Sequence, residues 1–348
     1  MTSTPIVLFG GTSDERHVSV ASAQNVVRTL GNPLAWFIGP AGAVHDVAVA
    51  DLLAHRDPFE QDFLPTRPAI WPDLEMALDT LPVEDPVFLL ALHGGSGEDG
   101  TVQAMMEERG LPFTGSGSSA SASAFDKAVA KEIVQSRVRV AESRVMNSIT
   151  ELHPIIDEML SRHERIVLKP LAAGSSRGLF FLSRNDDRED VIEKVAALGI
   201  PYIIEEFVQG RELTVGVIDR GQGPFALPVI EIEVDPGHAF DYLGKYLGKG
   251  TREICPANID EAMAADAKHI ALEAHIALGC EGYSRTDLVA TSSGCYFLEL
   301  NTLPGLTTSS LVPQQLATEG IAFRTFLEEQ LEIAVRRARV SAPERVFR

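Results

Sequence analysis

Alternation of polar and apolar positions is clearest towards the C-terminal end of the chain, in two β-prone runs at 283–290 and 295–301. A Ser/Gly turn separates the two runs, so the pattern predicts a β-hairpin folded near Ser293. Because side chains alternate faces along a strand, each face of the hairpin should have a distinct character. The polar face would carry Arg285, Asp287, Glu299 and Asn301, and the apolar face Thr286, Leu288, Leu298 and Leu300.

The predicted register sets Asp287 opposite Glu299, and Arg285 opposite Asn301. Two directly opposed carboxylates repel each other, and a divalent cation between them removes that cost. Oxygen ligands suit a hard ion such as Mg²⁺, which takes one or two carboxylates together with substrate phosphates. An exposed hairpin whose acids pair with Lys or Arg is the simpler alternative. The Pro-Gly pair at 304–305 brings backbone N–H groups close by, and we therefore favour the metal site.

The first third of the chain contains two strand–loop–helix patterns. Apolar runs at 6–9 and 87–92 predict buried strands, and a helical pattern follows each Gly-rich loop, at 10–17 and 93–100. Gly-rich loops at the carboxyl ends of parallel strands are typical of a ligand crevice. The first loop matches neither a dinucleotide fingerprint nor a P-loop.

These two loops contain two candidate substrate-binding residues, Glu15 and His93. Glu15 stands at a predicted helix N-terminus, where an acid complements the helix dipole, and on the sequence alone that structural role is favoured. His93 taken alone is more often structural than catalytic. Neither residue is decisive by itself.

Further along the chain, a Gly/Ser/Ala-rich stretch at 111–124 predicts a domain boundary. The loop at 173–178 joins a strand ending in Lys169-Pro170 to another strand. It offers backbone N–H donors and hydroxyls to a phosphate, although a plain surface hairpin is the alternative. The segment 241–250 is polar, Gly-rich and aromatic, which favours a lid. Residues 306–320 are expected to form a loop.

The composition limits the function classes. A chain of 348 residues allows two or three domains, and 45% hydrophobic with 23% charged residues is typical of a soluble globular protein. The net charge of −19 argues against a nucleic-acid surface. The three cysteines show no paired spacing, and there is neither a leader-like N-terminus nor an apolar run long enough to span a bilayer. We therefore expect a cytoplasmic protein without membrane or nucleic-acid partners.

Nine short motifs together are similar to those of the D-alanine–D-alanine ligases, which are members of the ATP-grasp superfamily. Each motif is weak alone, but all nine occur in the order of that family over nearly the whole chain. They lie at 10–19, 93–100, 110–116, 126–127, 169–178, 210–215, 241–246, 285–287 and 299–307.

The resemblance implies a mixed α/β, three-domain ATP-grasp fold with an N-terminal parallel-sheet domain. The expected divisions are an N-terminal substrate-binding domain at 1–115, a central subdomain at 116–210, and a C-terminal domain at 211–348 with an ω-loop near 238–252. It also implies a homodimer, with ATP and D-alanine as small-molecule partners.

The resemblance assigns the ATP site to one group of residues. Lys127 and Lys169 would contact the phosphates, and Glu212 the ribose. Two Mg²⁺ ions, with Mn²⁺ as an alternative, would be held by Asp287, Glu299 and Asn301. The adenine would lie against the backbone of Glu205, Glu206, Phe207 and Val208, and Lys245 would also contact the nucleotide.

The same resemblance assigns the amino-acid sites. Glu15 would hold the ammonium of the first D-alanine, with His93 in the same site, and Arg285 with the Gly305 N–H would bind an oxyanion. Ser310 and Leu311 would receive the carboxylate of the second amino acid. Glu15, Ser175 and Tyr246 would form a hydrogen-bonded set beneath the lid.

The implied activity is ATP-dependent synthesis of D-alanyl-D-alanine through an acyl phosphate, for peptidoglycan precursors. Two alternatives stay open. One is a related ligase that joins D-alanine or another amino acid to a different amine, such as D-serine. The other is a non-catalytic nucleotide-binding paralogue, against which the intact set of acids, lysines and Arg285 counts.

Overall fold

The computed structural model describes residues 3–31, 33–172, 178–234 and 250–341. Within these ranges the helices are α1 (Arg16–Leu30), α2 (Val49–Ala54), α3 (Leu74–Asp79), α4 (Thr101–Glu108), α5 (Ser118–Phe125), α6 (Lys127–Val134), α7 (Leu152–Arg162), α8 (Glu189–Leu198), α9 (Glu261–Ala277), α10 (Leu311–Glu319) and α11 (Phe323–Ser341). The strands are β1 (Thr4–Gly10), β2 (Leu34–Ile38), β3 (Val44–Asp46), β4 (Pro86–Leu90), β5 (Ser143–Met146), β6 (Arg165–Pro170), β7 (Phe180–Ser183), β8 (Tyr202–Glu206), β9 (Arg211–Asp219), β10 (Pro224–Ala226), β11 (Ile230–Val234), β12 (Thr251–Ile254), β13 (Tyr283–Thr291) and β14 (Gly294–Asn301).

The first sheet has the order β3-β2-β1-β4, and β1 runs parallel to both β2 and β4. The apolar residues of β1 are fully buried, as expected for a central parallel strand covered on both faces. β3 is antiparallel to β2 at one edge. The two Gly-rich loops therefore lie next to each other, because each follows the carboxyl end of one of two neighbouring parallel strands.

The second sheet is antiparallel, in the order β5-β8-β6-β7. Its core contains apolar side chains of α7 and α8 together with those of the strands. Glu205 of β8 pairs with Val167 of β6, so Glu205 and Lys169 are diagonal neighbours on one face. This register brings two of the predicted ATP-site residues within reach of each other.

The third sheet contains the predicted hairpin, in the order β12-β11-β9-β13-β14 with β10 against β9. The structure confirms the register: Arg285 pairs with Asn301, and Asp287 pairs with Glu299. Thr291 pairs with Gly294, which leaves a two-residue turn at 292–293.

The prediction for the apolar face was wrong at Leu298. The register shifts after Asp287, and Leu288 pairs with Phe297 rather than with Leu298. Leu298 is the extra residue of a β-bulge, so the alternation of faces changes there. Phe297 is fully buried in the core against α9, whereas Leu298 is half-buried.

The expectation of a loop at 306–320 was also wrong, because α10 occupies most of this segment. Pro313 lies in the first turn of α10, where the missing N–H is tolerated. Leu311, Val312 and Leu316 supply its buried face. The Ser/Thr-rich residues before the helix gave it the appearance of a loop.

None of the described helices combines the length and the apolar character that crossing a membrane requires.

The β-bulge yields a stability prediction. Replacing the buried Phe297 with Ala removes a large core side chain and should lower the free energy of unfolding by about 3–5 kcal/mol. Leu298→Ala is the matched neighbour and should cost about 1 kcal/mol, because the side chain is only half-buried. Urea unfolding of both variants measures the two costs. Equal losses would contradict the assignment of Leu298 to the bulge.

Candidate active site

The polar face of the hairpin is organised by Asp287. Arg285 donates to both of its carboxylate oxygens, with Nε 2.9 Å from Oδ1 and Nη2 2.8 Å from Oδ2. Thr214, which pairs with Asp287 from β9, donates its hydroxyl to Oδ1 at 2.6 Å. This bidentate contact fixes the direction of the guanidinium beside the opposed acids.

Lys127 approaches the same face from α6. Asp126 caps this helix by accepting from the backbone N–H groups of Ala128 and Val129 at 2.9 and 3.1 Å. The cap orients the first turn, and the Lys127 Nζ lies 3.4 Å from Glu299 Oε2. Each of the two opposed carboxylates therefore has a cationic side chain beside it.

A second set of charges is buried where α6 meets the second sheet. The carboxylate of Glu205 is 1% exposed and forms ion pairs with Lys131 and, at 2.8 Å, with Lys169. Burial alone would raise the pKa of Glu205, but the positive charges of Lys169 and Lys131 outweigh it and lower the pKa to about 2.

The two lysines respond differently to this environment. Burial is the largest influence on Lys131 and lowers its pKa. Burial acts in the same direction on Lys169, but attraction to Glu205, and further to Glu299 and Glu212, raises its pKa. Lys169 is therefore a charged ammonium that lies within electrostatic reach of Glu299 on the hairpin and of Glu212.

The predicted amino-acid site begins at the two Gly-rich loops. Glu15 occupies the N-cap position of α1, but its side chain makes no capping hydrogen bond. The Glu15 carboxylate instead lies close to Gly94: a Cβ atom placed on Gly94 would be 2.5 Å from Glu15 Oε2. Gly94 also has φ +67°, a backbone conformation that favours glycine. This contact joins the two loops. The role of Glu15 in binding an ammonium group stays a prediction.

His93 is nearly buried between these loops and α1. Its carbonyl accepts from the Ser13 hydroxyl at 2.6 Å, and that hydroxyl oxygen accepts from the Glu15 N–H at 3.2 Å. Its Nε2 lies 3.1 Å from the Ser22 hydroxyl. His93 thus holds the loop that carries Glu15.

The predicted acceptor residues lie in the segment 303–311, which follows the hairpin directly. Gly305 is buried, and Leu303 and Leu306 on either side of it pack into the core of the first sheet. Ser310 precedes α10, and its hydroxyl accepts from the Thr307 N–H at 3.1 Å. Leu311 packs against β11.

A glycine allows α10 to lie close to the third sheet. The Gly216 N–H donates to Gln315 Oε1 at 3.1 Å, and a Cβ on Gly216 would be 2.7 Å from that oxygen. Because Gly216 pairs with Arg285, α10 is held beside the polar hairpin face. Gln315, in the second turn of α10, is therefore held beside the strand position that pairs with Arg285.

Glu253 of β12 is a further acid on this side of the sheet. Glu253 pairs with Ile232 of β11, and Ile232 pairs with Glu212 of β9. Glu212 lies two positions before Thr214, which pairs with Asp287 of β13. Because side chains two positions apart on a strand share a face, Glu253, Ile232, Glu212 and Asp287 lie on the same face of the sheet. Gln314 Nε2 donates to Glu253 Oε2 at 2.5 Å. Burial raises the pKa of Glu253, against the opposing influences of Gln314 and Arg285.

The residues proposed for adenine lie at the end of β8. The Phe207 N–H donates to the Arg165 carbonyl at 3.0 Å, and the Arg165 guanidinium lies 4.3 Å from the centre of the Phe207 ring. Glu206 and Val208 are half-buried, and Glu212 is exposed on β9. Ser175, Lys245 and Tyr246 lie outside the described residues.

Two site residues were missed by the sequence reasoning. Lys131 lies one turn after Lys127, so the i, i+4 spacing on a helix with an apolar face could have revealed it. Thr214 stands directly opposite Asp287 across β9 and β13, a pairing that only the sheet topology supplies.

The donor set fits a hard divalent ion. Among the described residues, no group of three or more His, Cys, Asp or Glu side chains is arranged to hold a metal. The hairpin instead offers two carboxylates and an amide on one face, which is the protein share expected when phosphates complete the shell of Mg²⁺. The side chains of Arg285 and Lys127 balance those acids.

Comparison with known proteins shows the family to which the chain belongs. Residues 4–116 match the family model for the D-ala D-ala ligase N-terminus, and residues 147–332 match the model for the D-ala D-ala ligase C-terminus. The chain belongs to the D-alanine–D-alanine ligase family. It has the ATP-grasp fold of these ligases.

Individual members of the family align with nearly the whole chain. The D-alanine–D-alanine ligase of Syntrophobacter fumaroxidans is 34% identical over 337 residues, which cover 95% of this chain and 97% of that protein. The structure of the VanG D-Ala:D-Ser ligase of Enterococcus faecalis superposes with a TM-score of 0.78 at 27% identity, covering 96% of this chain and 100% of that one.

A solved structure with nucleotide has the same fold. The D-alanine–D-alanine ligase of Bacillus anthracis in complex with ATP superposes with a TM-score of 0.74 at 23% identity, covering 98% of this chain and 100% of that one.

The buried Glu205 site generates a pH prediction. Glu205→Gln keeps the shape but removes the buried counter-ion that Lys131 and Lys169 share, which should cost about 3–5 kcal/mol at pH 7. Because the pKa of Glu205 is about 2 in the folded protein against an ordinary 4.5, its contribution is complete above pH 4.5 and is lost as the pH falls towards 2. The difference from wild type should therefore shrink below about pH 4.5.

Urea unfolding across this pH range measures the effect. The neighbouring Glu206→Gln is the control, and it should cost under about 1 kcal/mol because that side chain is half-exposed. A loss for Glu205→Gln that does not change with pH would contradict the charge argument.

Proposed function

We propose that this protein is an ATP-dependent ligase that joins two molecules of D-alanine through an acyl phosphate. The observation that carries the proposal is the hairpin face on which Arg285, Asp287, Glu299 and Asn301 meet, with Lys127 against Glu299. Family membership and the names of the relatives support the same activity.

In this proposal Lys127 and Lys169 hold the phosphates of ATP, the backbone at 205–208 holds the adenine, and Glu212 binds the ribose. The firm positive charge on Lys169 suits it to a polyanion. Asp287, Glu299 and Asn301 would hold two Mg²⁺ ions, which when bound neutralise charge on the phosphates. Lys245 would contact the nucleotide from the lid.

The first D-alanine binds with its ammonium at Glu15, next to His93. Its carboxylate oxygen attacks the γ-phosphorus of ATP, the bond to ADP breaks, and an acyl phosphate forms. Lys127 and Lys169 stabilise the charge on the transferring phosphoryl group. The proposal also retains Ser175 and Tyr246 as partners of Glu15 under the lid, which excludes water from the acyl phosphate.

The second D-alanine then binds with its carboxylate at Ser310 and Leu311. Its amine attacks the acyl carbon, and Arg285 and the Gly305 N–H stabilise the oxyanion of the tetrahedral intermediate. The C–O bond to phosphate breaks, which releases phosphate and D-alanyl-D-alanine. The N-terminus of α10 is well suited to a carboxylate because its first N–H groups have no partner within the helix.

At the level of the cell, we propose a role in making peptidoglycan precursors in the cytoplasm by a homodimer. We also propose a three-domain division at 1–115, 116–210 and 211–348. The separate sheets at residues 4–90, 143–206 and 211–301 are consistent with that division.

Purified protein with ATP, Mg²⁺ and D-alanine tests the activity directly. Phosphate release that depends on D-alanine, with dipeptide formed in equal amount, is the expected result. Turnover only with another acceptor would favour a related ligase. No turnover with any amino acid would contradict the proposal and favour the non-catalytic paralogue.

Asp287→Asn and Glu299→Gln each remove one negative charge from the site for the metal ions. We expect either variant to lower ligation by about 100-fold or more, because the charge on the transferring phosphoryl group is then poorly balanced. Circular dichroism should show an unchanged fold. Rates like those of wild type in either variant would contradict the metal assignment.

An acceptor with a hydrogen-bond donor on its side chain, such as D-serine, is the second candidate. Glu253 favours it, because this half-buried carboxylate is bonded by Gln314 and lies within electrostatic reach of Arg285. A hydroxyl could donate to such a carboxylate, whereas the methyl group of D-alanine could not. The likeness to the VanG D-Ala:D-Ser ligase supports testing both acceptors.

Glu253→Ala should therefore lower kcat/KM for D-serine about tenfold relative to D-alanine, because a hydrogen bond to the hydroxyl is lost. The matched control is Glu233→Ala on the neighbouring strand, whose exposed carboxylate pairs with Arg252. Steady-state kinetics with each acceptor provides the ratio. An unchanged ratio in Glu253→Ala would exclude this residue from acceptor choice.

A further inference from the structure

Two side chains of helix α1 hydrogen-bond to the backbone of Leu306. Leu306 lies in the segment 303–311, called here the acceptor segment because it carries the residues predicted to bind the second amino acid. The Leu306 N–H donates to Ser22 Oγ at 3.1 Å, and Asn25 Nδ2 donates to the Leu306 carbonyl at 2.8 Å. Ser22 is fully buried and Asn25 is 9% exposed. The two side chains are three positions apart and so share one face of the helix.

Ser22 is also linked to His93, whose Nε2 lies 3.1 Å from its hydroxyl. The Ser22 hydroxyl therefore contacts both the Leu306 N–H and the His93 ring. The other ring nitrogen of His93, Nδ1, lies 3.6 Å from Glu98 Oε1. A chain of polar contacts therefore runs from Glu98 through His93 and Ser22 to the backbone of Leu306.

The same chain reaches the predicted site of the first substrate. The His93 carbonyl accepts from Ser13, and Ser13 accepts from the Glu15 N–H. One buried network thus connects the loop that carries Glu15 with the segment that carries Gly305. The two segments are almost 300 positions apart in the sequence, so the network is tertiary in origin.

The segment 303–311 is only partly covered by apolar packing. Leu303 and Leu306 are anchored in the first core, whereas Thr308 and Ser309 are exposed. A pocket of about 390 Å³ lies next to residues 307–309, between α1 and residues 56–60. The hydrogen bonds from Ser22 and Asn25 hold the Leu306 backbone beside this pocket.

We propose that Ser22 and Asn25 are positioning residues that set the direction of the Gly305 N–H in the oxyanion site. Through the hydrogen bond between Thr307 N–H and Ser310, they also set the site for the acceptor carboxylate. This inference rests on the proposed ligase function. It adds two residues of α1 that contact no substrate but determine where the second step takes place.

The inference has a distinct kinetic signature. An oxyanion donor must lie within about 3 Å of the developing charge, so a loosened Leu306 backbone slows attack of the amine on the acyl carbon. The acyl phosphate still forms, because its lysines are elsewhere. Water then attacks the phosphorus of the acyl phosphate, the P–O bond to the acyl group breaks with its electron pair staying on the carboxylate, and D-alanine and phosphate are released. This hydrolysis places no new charge on the acyl oxygen, so it does not depend on the oxyanion site. Phosphate release exceeds dipeptide formation.

Ser22→Ala tests this, with Ser19→Ala as the matched control. Ser19 is equally buried on the same helix and its hydroxyl also makes two hydrogen bonds, to Gly10 and Ala91, but none to Leu306. Ser22→Ala should lower kcat for dipeptide formation about tenfold, leave KM for ATP unchanged, and release several phosphates per dipeptide. Ser19→Ala should keep one phosphate per dipeptide, whatever its stability.

Asn25→Ala provides a second variant should Ser22→Ala fail to fold, and it should show the same uncoupling. One phosphate per dipeptide in both Ser22→Ala and Asn25→Ala, with wild-type enzyme active, would overturn the positioning role alone. Uncoupling of equal size in Ser19→Ala would overturn it too, since the effect would not depend on Leu306. Absence of D-alanine-dependent turnover in the wild-type protein would overturn the ligase function itself.

Discussion

Two carboxylates that face each other across neighbouring strands are the constraint on which the candidate site depends. Asp287 and Glu299 form a cross-strand pair, an arrangement that is unfavourable unless positive charge is supplied. The chain supplies it with Arg285 on the same strand and Lys127 from a capped helix N-terminus. Further positive charge is expected from Mg²⁺ ions that bind together with ATP, so binding of the nucleotide and balancing of the acids would be the same event.

The same need for balancing positive charge applies to Glu205, the buried acid of the second sheet. A fully buried acid is costly unless it is paired, and here two lysines share it. The pairing holds the Lys169 ammonium at a position where it is also attracted to the carboxylates of Glu299 and Glu212. Lys169 is thus positioned by an acid that lies outside the predicted metal site.

The sequence predicted the register of the hairpin well, because local periodicity decides that part of the structure. A period of two along the hairpin was sufficient to predict both cross-strand pairs, because register follows from alternation and a short turn. It failed at Leu298, since Phe297 and Leu298 are both apolar and alternation cannot show which one is the inserted residue. It failed again at α10, whose start is rich in Ser and Thr. Contacts between distant segments, such as Ser22 with Leu306, have no local signal at all.

Calorimetry of ATP binding to the wild-type protein, with Mg²⁺ and with a chelator, tests the central claim most directly. If the opposed acids require a metal between themselves and the phosphates, ATP should bind tightly with Mg²⁺ and at least about tenfold more weakly without it. Equal affinity in both conditions would contradict the account, because the triphosphate would then not be meeting the face that carries Asp287 and Glu299.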